Sequence, residues 1–380
     1  MAVASSPATD EAVPTEAVSE AAVGPHASKS KESDRILEAA DATFRAKISL
    51  PVKIILVAAV VVAFFASFML GKYSMNPLEV LQTVFGHWFE NPPLIDTPAE
   101  RILFNIRGPR IIIVMLVGAA LAVAGASYQG MFKNPLTSPD LLGASAGASL
   151  GACLAMLLNL SGTGIQLAAF AGALLAVGCA VWLNRLVDYD PTLGLVLAGI
   201  LVGSLFQAGM SIVKFLADAN DKLPEITFWL MGSFAQVDSD DLALIIVPMV
   251  IGFVLLLFQA WKLNVLSFGD EEARAMGVNT RRTRLIVILA STLLSASSVA
   301  VAGIVGWIGL VVPHLARAVV GPNYKVLLPA SMFIGAVFLL IVDNVARLAL
   351  SVEIPIGILT AILGVPFFVF IFKHNMKGWR

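Results

Sequence analysis

The chain has little charge. Asp, Glu, Lys and Arg make up 13% of its 380 residues, about half the share usual in soluble domains. Between residues 141 and 184 there is none at all. Such sparseness excludes a solvated surface wrapped around one globular core. Cysteine is nearly absent too. Cys153 and Cys179 both fall in apolar stretches, which argues against a disulfide framework or a thiolate metal site. His26, His87, His314 and His374 are scattered without ligand spacing. No G-x-x-x-x-G-K-[ST] motif occurs, and "GKY" at 71–73 does not supply one, so the chain carries no P-loop of its own. No Ser/His, Cys/His or metal-ligand constellation is readable, so an integral-membrane enzyme is disfavoured. Neither a cofactor nor a nucleic-acid partner is expected.

What is present is apolar. Hydrophobic residues make up 58% of the sequence, and the mean hydropathy is +0.86. The uncharged stretch 141–184 is 44 residues long. One membrane crossing takes about 20 apolar residues, so this stretch holds two. "NLSGTG" at 159–164, with Asn159, Gly162 and Gly164, supplies the turn between them. Further charge-poor segments lie at 54–70, 111–132, 193–213, 242–261, 285–316, 326–342 and 354–372. The 285–316 segment exceeds one span, and Gly303, Gly306 and Gly309 predict a break in it. The 326–342 segment is expected to run on past Asp343 to about Leu350. This reading gives an all-α, polytopic integral-membrane bundle of about ten transmembrane helices within residues 51–374.

An even number of spans puts both termini on one side. That side then holds 18 of the 25 Lys and Arg residues, and the other holds 7. Cytoplasmic loops are the basic ones, so both termini are expected in the cytoplasm of a bacterial plasma-membrane protein. The opposite loops are acidic, with Glu79, Glu90, Asp96, Glu100, Asp218, Asp221, Asp238, Asp240 and Asp241. Residues 1–50 are rich in Ala, Ser, Glu and Pro and read as a disordered cytoplasmic tail, with a short interfacial helix expected within 34–48. No signal-peptide pattern is seen there. Residues 375–380 form a short cytoplasmic tail.

Small residues recur every four positions at Gly143, Gly147 and Gly151, and at Gly118, Ala122, Ala126 and Gly130. Such stripes let helix backbones approach closely in lipid; they indicate a compact bundle and say nothing of the cargo. Asp343 and Arg347 stand four apart on one helix face, where they can form an intramembrane ion pair. Asp343 is the one acidic group clearly inside a span. A proton- or ion-coupled secondary transporter, the competing reading, would favour a relay of such groups.

The loop "SFGDEEARAMGVNTRRTRL" (267–285) is different. Gly269 opens a segment, Asp270, Glu271 and Glu272 suit a helix N-terminus, and Gly277 suits its end. A helix of roughly two turns is expected, with Ala273 and Met276 on one face.

That loop resembles the coupling segment of FecCD-type permeases, the membrane subunits of binding-protein-dependent ABC importers for iron–siderophore complexes, haem and cobalamin. "IRGPR" with "GAALAVAGASYQGMFKNPLTSPDLLGASAGA" (106–148) resembles the family signature at its second and third spans. "AGIVGWIGLVVPHLARAVVGPNYKVLLPASMFIGAVFLLIVDNVAR" (302–347) is similar to its eighth and ninth, and "EIPIGILTAILGVPFF" (353–368) to its last. The similarity runs from about residue 54 to 374 in order; the acidic N-terminal tail lies outside it. The resemblance implies a type II ABC importer permease, not an enzyme, working with an ABC ATPase subunit and an extracytoplasmic substrate-binding (lipo)protein. It also implies a second permease copy or a homologous permease beside it in the membrane. Iron–siderophore is the first choice of cargo, haem the second and cobalamin the third. By residue, it implies that the ATPase receives Gly269, Glu272, Ala273, Arg274, Met276 and Gly277 within a coupling segment at 267–284. Acidic side chains of the binding protein would meet Arg107, Arg110 and Arg347. Asn134, Leu136 and Thr192 would line the cytoplasmic gate.

Overall fold

In a computed structural model, residues 48–71, 76–89, 97–186 and 191–375 are described. The expected tail at 1–50, including its interfacial helix, lies almost wholly outside these residues, as does most of the 375–380 tail.

The first helix, α1 (Leu50–Met69), has Pro at its start, where a missing N–H costs nothing. Only Ser67 and Phe68 of this helix are buried, and its Ile and Val side chains point outward, as a lipid-facing helix requires. A second helix, α2 (Pro77–Phe89), follows. Next comes a continuous helical run, Pro98–Phe132. It opens with a turn, Pro98–Glu100, capped by Thr97, whose hydroxyl accepts from the Glu100 N–H at 3.2 Å. A π-helical segment, Arg101–Arg107, leads into α3 (Gly108–Phe132). This helix is buried along almost its whole length and forms the axis of the bundle.

The remaining helices follow in chain order. They are α4 (Ala144–Leu157), α5 (Gly162–Leu186), α6 (Pro191–Leu216), α7 (Lys222–Leu230) and α8 (Ser239–Leu266). After them come α9 (Asp270–Ala275), α10 (Thr280–Ala302), α11 (Ile308–Val320), α12 (Tyr324–Leu348) and α13 (Ile356–Asn375). Of these, α8, α10, α11 and α12 pack against α3. A short 3₁₀ turn, Pro139–Leu142, precedes α4. Among the described residues there is no strand.

The breaks fall at residues with left-handed backbone. Asn159, at φ 56°, ends the α4 side of the uncharged stretch. Gly303 at φ 66° ends α10, and Trp307 at φ 69° starts α11.

Small residues hold the helices close. A Cβ built on Gly118 would lie 2.3 Å from the carbonyl oxygen of Gly335, and one on Gly335 would lie 2.4 Å from that of Gly118. The α3–α12 crossing is therefore backbone against backbone. The Gly147–Gly172 crossing of α4 and α5 repeats the arrangement at 2.3 and 2.2 Å.

Seven of the described helices are long and apolar enough to cross a membrane: α1, the Pro98–Phe132 run, α5, α6, α8, α10 and α12. Three shorter apolar helices, Ala144–Leu157, Ile308–Val320 and Ile356–Val369, occupy the other expected spans. Among the described residues, the expected ten spans are thus seven long helices and three shorter ones. The fold is a polytopic helical membrane bundle.

Candidate functional site

The chain offers two chemically organised ends. At one end lies α9. Gly269 precedes it at φ 139°, a backbone conformation that calls for glycine; the Glu272 carboxylate folds back over it. The helix ends as expected of a glycine-terminated turn: Gly277, at φ 79°, donates to the Arg274 carbonyl, and Val278 donates to the Ala273 carbonyl, both at 2.9 Å.

Asp270 pins this helix to two others. Its Oδ1 accepts from Arg284 Nη2 at 2.8 Å, at the start of α10. It also accepts from Lys133 Nζ at 3.5 Å, at the end of α3. Lys133 is the left-handed residue closing α3, at φ 51°. The axis of the bundle and α9 are thus joined through one carboxylate.

Ala273 is fully buried and Val278 nearly so, while Glu272, Arg274 and Met276 are exposed. The expectation that Ala273 and Met276 share a face is therefore corrected. The helix stops at Ala275, and Met276 turns outward, 45% exposed. Ala273 seats the helix on its own bundle; Glu272, Arg274 and Met276 form the accessible side.

The residues read as a gate lie on separate elements. Asn134 follows α3 and closes a turn, its Oδ1 accepting from the Leu136 N–H at 2.9 Å. The Pro135 carbonyl lies 3.1 Å from His314 Nε2. Leu136 is 51% exposed. Thr192 stands in the first turn of α6, half-buried.

The opposite end carries an ion network. Arg110, in the first turn of α3, donates through Nη2 and Nε to Asp343 of α12 at 2.7 and 3.2 Å. It also donates through Nη1 and Nη2 to the two oxygens of Glu353 at 3.1 and 2.9 Å, a fork that fixes orientation as well as distance. Arg347 Nε stands 3.1 Å from the other Asp343 oxygen, and its Nη2 donates to Ser67 Oγ at 2.9 Å and to Asn344 Oδ1. Arg107 donates to the Phe68 carbonyl at 2.5 Å. These contacts tie α1, α3, α12 and the approach to α13 together.

The three arginines are buried, at 5% exposure for Arg107 and 7% each for Arg110 and Arg347. Asp343 is fully buried, whereas the Glu353 side chain is 29% exposed. Sequence reasoning singled out Asp343 and Arg347 but missed Glu353. "EIPIG" marks the start of the last span, yet nothing in its spacing points to Arg110.

A further polar cluster escaped the sequence reading. Arg317 Nη1 donates to Gln129 Oε1 at 2.6 Å, and Asn264 Nδ2 donates to Asn323 Oδ1 at 2.8 Å. Asn264 Oδ1 in turn accepts from the Tyr324 N–H at 2.8 Å. The first bond ties α11 to the end of α3, and the other two tie the end of α8 to the start of α12.

The model of the FecCD transport family matches residues 59–374. The molybdate import system permease protein MolB of Haemophilus influenzae is 37% identical over 311 residues, covering 81% of this chain and 91% of that protein. The Fe(3+)-citrate import system permease protein YfmE of Bacillus subtilis is 37% identical over 334 residues, covering 86% and 96%. A solved structure, an inward-facing conformation of a metal-chelate type ABC transporter, superposes with a TM-score of 0.75 at 37% identity, covering 84% of this chain and 97% of that one. With most of its length matched in sequence and in fold, the chain belongs to the FecCD transport family, as a multi-pass plasma-membrane permease of an ABC importer and not an enzyme.

Proposed function

We propose that this permease moves a chelated iron compound into the cytoplasm, with an iron–siderophore first, haem second and cobalamin third. The iron-citrate importer and the metal-chelate transporter described above support that cargo. The molybdate importer, of equal identity, supports a second reading in which the cargo is an oxyanion.

A separate ATPase subunit drives the cycle by pushing on α9, with Glu272, Arg274 and Met276 as the contact and Gly269, Ala273 and Gly277 as its seat. The observation that carries this reading is the exposed six-residue helix between α8 and α10, anchored by Asp270 to the end of α3. A push there reaches α10 through Arg284 and, more weakly, the end of α3 through Lys133. Asn134, Leu136 and Thr192 line the gate on that side, and both chain termini are cytoplasmic. A second permease copy, or a homologous one, completes the pathway.

An extracytoplasmic binding protein docks at the other end through acidic side chains. Arg110 already holds two carboxylates, so docking there exchanges one of them. Glu353 is the exchangeable partner, because it is partly exposed while Asp343 is enclosed. An incoming carboxylate then takes the fork that Glu353 leaves.

The test is uptake of labelled ferric siderophore, haem, cobalamin and molybdate by a strain lacking this chain and complemented with it. Iron–chelate uptake restored by the parental chain, and lost in Met276→Asp, supports the reading. Restoration of molybdate uptake alone replaces the cargo while leaving the permease assignment intact.

A further inference from the structure

Between α5 and α10 lies a groove of about 230 Å³, at the end of the bundle that carries α9. Its walls are apolar: Val177, Val181 and Trp182 on α5, and Leu285 and Leu289 on α10. Gly178 forms part of its floor, and a Cβ there would meet nothing within 4 Å. Trp182 is 61% exposed and Leu289 50% exposed, so the groove opens on the outer surface of the bundle.

Its mouth is basic. Arg185 lines it from the last turn of α5 and is exposed. Arg281 and Arg282, also exposed, sit four and three residues before Leu285 and so continue the same face of α10. Arg284 does not contribute, since it turns to Asp270.

Arginines at span ends ordinarily snorkel to the interface without binding anything. Here they border an apolar slot that stays open beneath them. Guanidinium groups match phosphate oxygens in pairs, and Trp prefers the headgroup level of a bilayer. An acyl chain in the slot, with its phosphate at the mouth, satisfies both halves at once. We propose that this groove is a binding site for an anionic phospholipid, which wedges α5 against α10 beside the α9 anchor.

The test uses the full chain in its assembled importer, purified from membranes and exchanged into bilayer discs. One set of discs contains phosphatidylglycerol, one cardiolipin and one phosphatidylcholine. Native mass spectrometry then reads the lipid retained. Retention of either anionic lipid several-fold above phosphatidylcholine is expected. Arg185→Gln/Arg281→Gln/Arg282→Gln should abolish that preference, and the corresponding triple Lys variant should keep most of it. Gly178→Leu, at a position where a Cβ meets nothing within 4 Å, extends a side chain into the groove and should lower anionic retention with all arginines present. Equal retention of all three lipids, or an unchanged preference in both the Gln triple variant and Gly178→Leu, overturns the proposal. So does release of the anionic lipid by inorganic phosphate alone, which would mark a site for a soluble anion.

Discussion

Arg110 and Asp343 meet at 2.7 Å although 233 residues separate them in sequence. The pair joins the start of the central helix α3 to α12, and Arg347 stands on the other oxygen of the same carboxylate. Removing Asp343 leaves two buried cations facing each other. Breaking a buried pair by deleting one partner typically costs about 3–5 kcal/mol. Asp343→Ala should therefore lower the thermal midpoint of the detergent-purified protein strongly. Glu353→Gln should lower it far less, since that side chain is partly exposed. Equal midpoints for Asp343→Ala and the parent would remove the network from any stabilising role.

Glu353→Gln carries a second expectation. If a docking carboxylate exchanges with Glu353, neutralising it should tighten binding-protein association, and Arg110→Glu should weaken it. Part of each effect lies in the association rate and shrinks at high salt. Surface-plasmon measurements at two ionic strengths check this. A private structural network would show no change in binding with either variant.

The α9 anchor gives a graded prediction. Lys133 and Asp270 are 39% and 26% exposed at their side chains, whereas Arg284 is 10% exposed. An exposed pair contributes about 0–1 kcal/mol, so Lys133→Ala should change stability little. Arg284→Ala should cost more and should reduce the coupling of ATP hydrolysis to uptake. A double-mutant cycle between 270 and 284 measures the pair directly.

The glycine crossing is the sternest packing test. Gly118→Val would place atoms within 2.3 Å of the Gly335 carbonyl. Overpacking typically costs about 1–3 kcal/mol, and more where backbone must move. The variant should insert in the membrane but lose its compact fold, as read by size-exclusion profile and protease resistance. Gly178→Ala, which meets open space, is the tolerant control.

Sidedness is checked by single cysteines. One at Asn279 should resist impermeant thiol reagents in intact cells, and one at Asp218 or Asp238 should react. The reverse labelling would invert every side assigned from the basic loops.

Much of the fold is legible in the sequence because lipid imposes a length rule on helices. The turn at 159–164, the break after Ala302 and the extension of α12 to Leu348 all follow from apolar run length and glycine placement. The short helices α2 and α7 are not legible. They answer to no span length and read as acidic loops. The α9 segment is legible from Gly269, its acids and Gly277, but its orientation is not. Whether Ala273 or Met276 faces inward depends on where a six-residue helix ends. The Arg110–Glu353 fork is invisible for a different reason: it depends on tertiary approach between residues 243 positions apart, which no local spacing encodes. The burial of the three arginines escapes for the same reason.

The most direct test is transport in proteoliposomes holding this chain with its ATPase and binding protein. ATP supplied on the α9 side should drive accumulation of ferric siderophore, and Met276→Asp should abolish accumulation while the assembled protein keeps its thermal midpoint. Accumulation that proceeds without ATP and collapses when the proton gradient is dissipated would contradict the account.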